Sequence, residues 1–182
     1  MDVAQDGGRL AASLAGRLGQ VAFAGLTAGQ VTERIIDAVA DWGGGEGWRV
    51  YRRARSVVTL PPPLSRQHSV IDVACARPDG PPVVIEVDST DRRRTLDKLL
   101  AEADAGRIAL WVRWGTGRFV APPPPVHLVT CPVTRHNGPS GQGRLYARWT
   151  AGDRPPPPHS FDSVDVGSAV ALPIPDVDPE AS

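Results

Sequence analysis

The sequence predicts an α/β domain in which helices flank a central mixed β-sheet, and two patterns carry this prediction. The first is a pair of strand segments, residues 69–76 and 82–88, joined by the turn-forming residues RPDGP. The second is the strand, helix, strand succession of residues 83–114, which is typical of two parallel strands joined by a crossover helix. The 182 residues are enough for one domain with a sizeable core.

Two helices are predicted before the hairpin. The first covers about residues 8–19. The second covers about residues 28–42, because Thr27 and Gln30 have the spacing of a capping box and because apolar residues recur on one side, at Val31, Ile35, Val39 and Trp42. We expect the glycines of residues 43–45 to end this helix.

Further strands are predicted on either side of the hairpin. Residues 48–58 have the aromatic and β-branched content of a strand, which ends before the prolines of residues 61–63. Residues 107–114 are almost entirely apolar, which is typical of a strand buried on both faces. Residues 126–133 and 143–149 predict two more strands.

The hairpin carries carboxylates inside an otherwise apolar sheet. If its turn centres on Asp79, Asp72 faces Glu86, and Asp88 points the same way two residues further along the strand. On the opposite, wholly apolar face, the residues expected to meet are Ile71, Val73 and Cys75 with Val87, Ile85 and Val83. Carboxylates that face one another in such a sheet are destabilised by repulsion and desolvation unless a cation neutralises them. Oxygen ligands without His or Cys suit Mg²⁺ or Mn²⁺.

A third helix is predicted over residues 91–105, with Asp91 as its N-cap and Gly106 as its stop. Its apolar stripe consists of Leu96, Leu99, Leu100 and Ala103. Lys98 lies roughly 200° around the helix from Leu96, so we expect it to be solvated.

Composition and charge divide the chain into three parts. Residues 1–26 form a helical segment, residues 27–150 the α/β domain, and residues 151–182 a proline-rich segment that we expect to be disordered. That last segment carries six acids and one arginine, so the preceding 150 residues have a net charge of +5. No run of 18 apolar residues occurs, which predicts a cytoplasmic protein without a membrane partner.

The order of these elements resembles the PD-(D/E)XK nuclease superfamily, which has the restriction-endonuclease-like fold. The likeness covers about residues 27–115: a helix with Glu33, a strand, a hairpin with Asp72, Glu86 and Asp88, then a helix and a buried strand. It implies that Asp72 and Glu86 bind the metal ion. Asp88 stands where the motif has a lysine; some family members use an acid there, and others supply the cation from the following helix.

The remaining candidate residues have roles that this resemblance implies. Asp88 would hold water or a second metal ion, and Arg92 or Lys98 would stabilise the phosphate. Arg92 lies in the first turn of the third helix, at the edge of its apolar stripe, and acts only electrostatically because a guanidinium does not deprotonate. Glu33 lies about 145° from the centre of its helix's apolar stripe, which favours a solvated helix acid over a site residue.

Three functions remain open at this point. The first is an enzyme, a metal-dependent nuclease that hydrolyses DNA phosphodiester bonds and uses Mg²⁺ or Mn²⁺; DNA is favoured over RNA. The second is a catalytically inactive module with the same fold that binds nucleic acid or a protein partner, including a second copy of the chain. The third is a structural or regulatory subunit of a larger assembly. Dependence of cleavage on the hairpin carboxylates separates the first from the others.

Overall fold

The computed structural model describes residues 2–139 and 143–150, so the expectation for residues 151–182 lies outside the described residues. In this part of the chain there are three helices, α1 (Val3–Gly19), α2 (Ala28–Gly45) and α3 (Arg93–Asp104). The strands are β1 (Phe23–Leu26), β2 (Arg49–Thr59), β3 (His68–Ala76), β4 (Val83–Asp88), β5 (Ile108–Gly115), β6 (His127–Pro132), β7 (Thr134–Asn137) and β8 (Arg144–Arg148). None of these helices combines the length and apolar content needed to cross a bilayer.

A five-stranded mixed sheet forms the centre of the domain, as predicted. Its strand order is β2-β3-β4-β5-β6, with antiparallel pairing from β2 to β4 and parallel pairing from β4 to β6. The hairpin has the predicted register, since Val73 pairs with Ile85 and Cys75 with Val83. Strand β5 is buried from Ile108 to Trp114, so the prediction of a strand buried on both faces is confirmed.

Helices cover both faces of this sheet. Helices α1 and α2 pack on one face through a cluster that includes Leu14, Ile35, Val73 and Ile85. Helix α3 packs on the other face through a smaller cluster that includes Leu99. Different helices therefore cover the two faces of the sheet. Among the described helices, only α3 packs on the face that carries the hairpin carboxylates.

A second sheet of three strands, in the order β1-β8-β7, was not predicted as a separate unit. Strands β1 and β7 have four residues each, and β7 is exposed along its whole length. Strand β1 is too short, and β7 both too short and too polar, to show the apolar alternation that marks a strand in a sequence. The second sheet could therefore be found only from the tertiary structure.

The predicted ends of the helices need three corrections. Helix α1 begins at Val3, five residues before the predicted start. The capping box of Thr27 and Gln30 is present, but α2 continues through Gly43 to Gly45, which were expected to end it. Helix α3 begins after Arg92, which makes no side-chain capping bond.

Gly43 remains in α2 because the helix packs closely on the sheet at this point. A Cβ atom at Gly43 would lie 2.8 Å from Cys75 Sγ and 3.0 Å from a methyl group of Val50, whereas a Cβ atom at the neighbouring Gly44 would meet nothing within 4 Å. The absence of a side chain at Gly43 thus allows the helix to approach β2 and β3.

We expect Gly43→Ala to lower the free energy of unfolding by about 1–3 kcal/mol, because the added methyl group overpacks the core. Gly44→Ala is the matched control and should raise it by about 0.5–1 kcal/mol, since alanine is the better helix former. Urea denaturation of both variants checks this. Equal effects of the two substitutions would contradict the packing argument.

Candidate functional site

Strand β2 departs from the extended conformation at Arg53, opposite Asp72 of β3, and we refer to this departure as the kink. Arg52 pairs with Val73 and Ala54 with Ile71, so Arg53 and Asp72 occupy the interval between these pairs. Val73 packs against α2, whereas Ile71 and Ala54 pack against α3. Val73 and Ile71 are two residues apart and would share a face in a regular strand, but here they lie on opposite faces of the sheet. Arg53 has a φ of +53°, a conformation that costs a non-glycine residue roughly 1 kcal/mol.

This kink corrects one prediction. Ile71 was expected to share the apolar face of Val73 and Cys75, but it lies on the α3 face. Strict alternation of side chains therefore fails in β3 between Ile71 and Val73, opposite the positive φ of Arg53 in β2. Asp72 lies just beyond the last backbone pair of β3 and β4, where these two strands diverge.

Asp72 and Glu86 hold the diverging strands together with their side chains. The backbone pairing of β3 with β4 extends as far as Val73 and Ile85. One residue further, Asp72 Oδ2 accepts a hydrogen bond from the Val87 backbone N–H at 2.9 Å, and Glu86 Oε1 accepts one from the Asp72 N–H at 3.3 Å. The two carboxylates therefore lie next to each other.

Lys98 reaches these carboxylates from α3. Its Nζ lies 2.7 Å from Glu86 Oε1 and donates a hydrogen bond to the Val70 carbonyl oxygen at 2.6 Å. Only 13% of the Lys98 side chain is exposed. The expectation of a solvated Lys98 is therefore wrong, and the ammonium group belongs to the site.

The error in placing Lys98 comes from polar residues on the buried side of α3. The fully buried positions of the helix are Thr95, Leu99 and Glu102, whereas Leu96 is only partly buried. At 100° per residue Lys98 lies about 60° from Thr95 and about 40° from Glu102, so it faces the sheet. Two of the three buried positions are polar, and apolar periodicity alone does not reveal them.

Glu102 anchors α3 to the edge strand β2 one turn beyond Lys98. Its side chain is fully buried and accepts hydrogen bonds from the Ser56 hydroxyl and from the Val57 N–H, the latter at 2.8 Å. Arg107 forms an ion pair with its other oxygen. This network was not anticipated, and it fixes the helix that carries Lys98 relative to the sheet.

Asp88 extends the acidic group toward the start of α3. Its Oδ2 accepts a hydrogen bond from Trp111 Nε1 at 3.1 Å, and its Oδ1 lies 3.8 Å from Arg92 Nε. Arg92 is 67% exposed. Asp91, the predicted N-cap, instead forms an ion pair with Arg113 at 2.6 Å, because the buried guanidinium of Arg113 takes its carboxylate away from the helix end.

Glu33 lies outside the cleft that these residues form. It is 71% exposed on α2 and lies 3.5 Å from a guanidinium nitrogen of Arg52. Its negative charge is among the smaller influences that raise the pKa of Asp72. Glu33 thus acts on the carboxylates at a distance and is not in contact with them.

A cleft of about 790 Å³ opens between α3 and the ends of β2, β3 and β4. Asp72, Glu86, Asp88 and Lys98 all line it. The other polar side chains in its wall include Arg92, Arg94, Thr95, Thr59 and Ser69. The cleft therefore combines carboxylates with cations contributed by α3.

The carboxyl groups of Asp72 and Glu86 are difficult to ionise. Burial raises the pKa of Glu86 to about 7; Lys98 opposes the rise, and the charges of Asp72 and Asp88 add to it. Burial also raises the pKa of Asp72, against the opposing hydrogen bond from Val87 and the charge of Lys98. Lys98 offsets only part of this effect, so the pKa values of Glu86 and Asp72 remain raised.

A divalent cation fits the donor atoms only if water or substrate completes its coordination. In residues 2–139 and 143–150, no three His, Cys, Asp or Glu side chains converge as a metal-binding group. The hydrogen bonds described above occupy Asp72 Oδ2 and Glu86 Oε1, which leaves Asp72 Oδ1 and Glu86 Oε2 for a cation. Two carboxylates plus water and phosphate oxygens are an ordinary coordination for Mg²⁺.

In comparisons with protein-family models, with curated proteins and with solved structures, no family model, curated protein or solved structure matched this chain.

The raised pKa of Glu86 predicts a specific dependence of stability on pH. Between pH 4.5 and about 7 the folded protein retains a proton that the unfolded chain has lost, so the free energy of unfolding should fall as the pH rises through this window. The expected fall is about 3 kcal/mol. In Glu86→Gln this contribution should be absent, which urea denaturation at several pH values would measure.

Magnesium provides a second arm of this experiment. At pH 8, where Glu86 is ionised, Mg²⁺ should stabilise the wild type more than Glu86→Gln, since only the wild type offers both carboxylates. Titrating groups away from the cleft, such as His127, are common to both proteins and cancel in the difference. Identical pH profiles for the two proteins would refute the assignment.

Proposed function

We propose that the chain is a metal-dependent nuclease of the PD-(D/E)XK type that hydrolyses DNA phosphodiester bonds in the cleft between α3 and the hairpin. The single observation that carries this proposal is the 2.7 Å contact between Lys98 Nζ and Glu86 Oε1 beside Asp72. In the sequence, Asp88 stands where the motif has its lysine. Lys98 supplies an ammonium group from the following helix instead, and this group contacts Glu86.

The order of the elements and the topology of the sheet support the proposed fold. A mixed sheet with a hairpin at its centre, a helix before the hairpin and a crossover helix after it are the elements that a restriction-endonuclease-like fold requires. The hairpin acids and Lys98 lie on one face of that sheet. Because one scaffold can host several functions, the cleft and not the fold carries the functional argument.

In this proposal Asp72 and Glu86 hold one Mg²⁺ or Mn²⁺ ion through the two oxygens that no described residue binds. When bound, such a cation supplies Lewis acidity that activates water and stabilises negative charge on a phosphate. The hydrogen bond from the Val87 N–H fixes the orientation of Asp72, and Lys98 fixes that of Glu86. The protein therefore presents both ligands in place before substrate arrives.

Lys98 has one further role in the proposed reaction. An ammonium group has three donors, and Glu86 Oε1 and the Val70 carbonyl take two of them. The third can orient the attacking water or bind a phosphate oxygen. The water oxygen forms a bond to phosphorus and gives up a proton to solvent, while one ester P–O bond breaks and its leaving oxygen takes a proton from solvent. Arg92 and Arg94 hold the charged phosphate at the wall of the cleft.

A catalytically inactive module is the second candidate, and one observation favours it. Asp72, Glu86 and Asp88 each already accept a hydrogen bond from the protein, from Val87, Lys98 and Trp111 respectively. Such satisfied carboxylates also serve as structural links between diverging strands. The cleft would then bind nucleic acid or a protein partner without turnover, either alone or as a subunit of a larger assembly.

Cleavage of supercoiled plasmid and of single-stranded DNA with Mg²⁺ or Mn²⁺ distinguishes these functions. Wild type should cleave, Asp72→Asn and Glu86→Gln should not, and Lys98→Met should lose about 100-fold or more in rate because it removes a charge aimed at the phosphate. Glu46→Gln, at an exposed position after α2, is the matched control and should retain full activity. Cleavage by correctly folded Asp72→Asn and Glu86→Gln at the wild-type rate would sink the nuclease proposal.

Binding of DNA should depend strongly on salt. Phosphate contacts release counterions, so the logarithm of the affinity should fall linearly with the logarithm of the NaCl concentration. Arg94→Gln should reduce that slope by about one. Arg34→Gln, on α2 at the opposite face of the sheet, should leave the slope unchanged. Fluorescence anisotropy titrations would measure both, and equal slopes in all three proteins would exclude Arg94 from the phosphate path.

A further inference from the structure

A second cavity, of about 440 Å³, lies beside the cleft at the start of α3. Its wall is largely apolar and includes Leu96, Trp111, Val120, Pro122 and Pro123. Val120 is 69% exposed, the most exposed large apolar side chain among the described residues. We refer to this space as the apolar cavity.

The apolar cavity and the cleft share a wall. Arg92 lines both spaces, and the hydrogen bond from Trp111 Nε1 to Asp88 Oδ2 joins a residue of the cavity to a residue of the cleft. A chain of alternating phosphates and bases that enters the cleft beside Asp88 would therefore pass close to the mouth of the cavity.

Charges at the mouth suit a ligand that is anionic outside and apolar inside. Arg92 and Arg93 both line the cavity and are 67% and 86% exposed. Arg93 forms an exposed ion pair with Asp97, which a phosphate can replace at little cost because exposed pairs contribute little. Asp91 also lines the cavity and its side chain is largely exposed, but the ion pair with the buried Arg113 compensates its negative charge.

We infer that the apolar cavity receives one unpaired nucleobase of the strand whose phosphate lies in the cleft. This inference rests on the proposed function and adds a substrate class: DNA with an unpaired nucleotide beside the bond to be cleaved, as in single strands, bulges and flaps. A base inside a duplex is stacked and paired and has to be extruded before it can enter, so fully paired DNA is the poorer ligand.

Three DNA ligands of the same length test this inference by fluorescence anisotropy with wild-type protein in EDTA, where no cleavage occurs. One is a perfect duplex, one carries a single extra unpaired nucleotide, and the third carries an abasic residue in that place, so that the last two have the same phosphates. We expect the unpaired base to strengthen binding about tenfold over the abasic ligand.

Val120→Asp tests the position of the base. It should abolish the preference for the unpaired base, because a carboxylate at the mouth opposes both the base and its phosphate. Val3→Asp is the matched control, since Val3 is also an exposed valine, at 49%, and lies on α1 away from the cleft. It should retain the preference in full.

The outcomes separate this inference from the nuclease proposal. Equal affinity for the unpaired and abasic ligands, or a preference that survives in Val120→Asp, overturns the inference, even if wild type cleaves DNA with Mg²⁺. If the binding assay shows a preference for the unpaired base but the cleavage assay with Mg²⁺ shows no cleavage, the apolar cavity is supported as a base-binding site. The nuclease proposal alone is then overturned. Failure to bind any of the three ligands overturns the inference, because a base-binding site requires binding of nucleic acid.

Discussion

The ion pair between Lys98 and Glu86 is the interaction on which the candidate site depends. Glu86 is buried beside Asp72 and Asp88, and desolvation and repulsion both oppose its ionisation. Lys98 offsets part of that cost only because α3 holds it over the sheet. The Glu102 network, which joins α3 to Ser56 and Val57 of β2, is therefore as much a part of the site as the carboxylates.

Such an arrangement is costly to the fold. Buried charges are often less stabilising than apolar residues of the same volume, and a kinked strand with a positive φ at Arg53 adds local strain. A sequence selected for stability alone would place valine or isoleucine at Asp72 and Glu86. Three acids and a lysine on one face of an otherwise apolar sheet therefore lower the stability of the fold relative to an apolar arrangement.

Local chemistry made the hairpin predictable from the sequence. The residues Pro78, Asp79 and Gly80 set the turn, the turn set the register, and the register placed Asp72 beside Glu86. The burial of β5, which was predicted over residues 107–114, could be read equally directly from the apolar composition of that segment. These features depend on neighbours in sequence, and so the sequence reveals them.

Features that depend on distant neighbours were missed. The orientation of Lys98 follows from the burial of Thr95 and Glu102, and Glu102 is buried only because Ser56, Val57 and Arg107 satisfy it from other elements. The position of Ile71 on the α3 face lies opposite the positive φ of Arg53, and the residue type arginine gives no signal of that conformation. The role of Gly43 likewise appears only when Cys75 is seen against it.

The kink at Arg53 also makes one edge of the central sheet irregular. Strand β2 stands at this edge, and a long regular edge is a template to which a strand of another molecule can add. The left-handed backbone conformation of Arg53 lies midway along β2, and the side chain of Glu102 accepts the hydrogen bond of the Val57 N–H further along. The β2 edge is thereby a poorer template for strand addition than a regular strand of the same length.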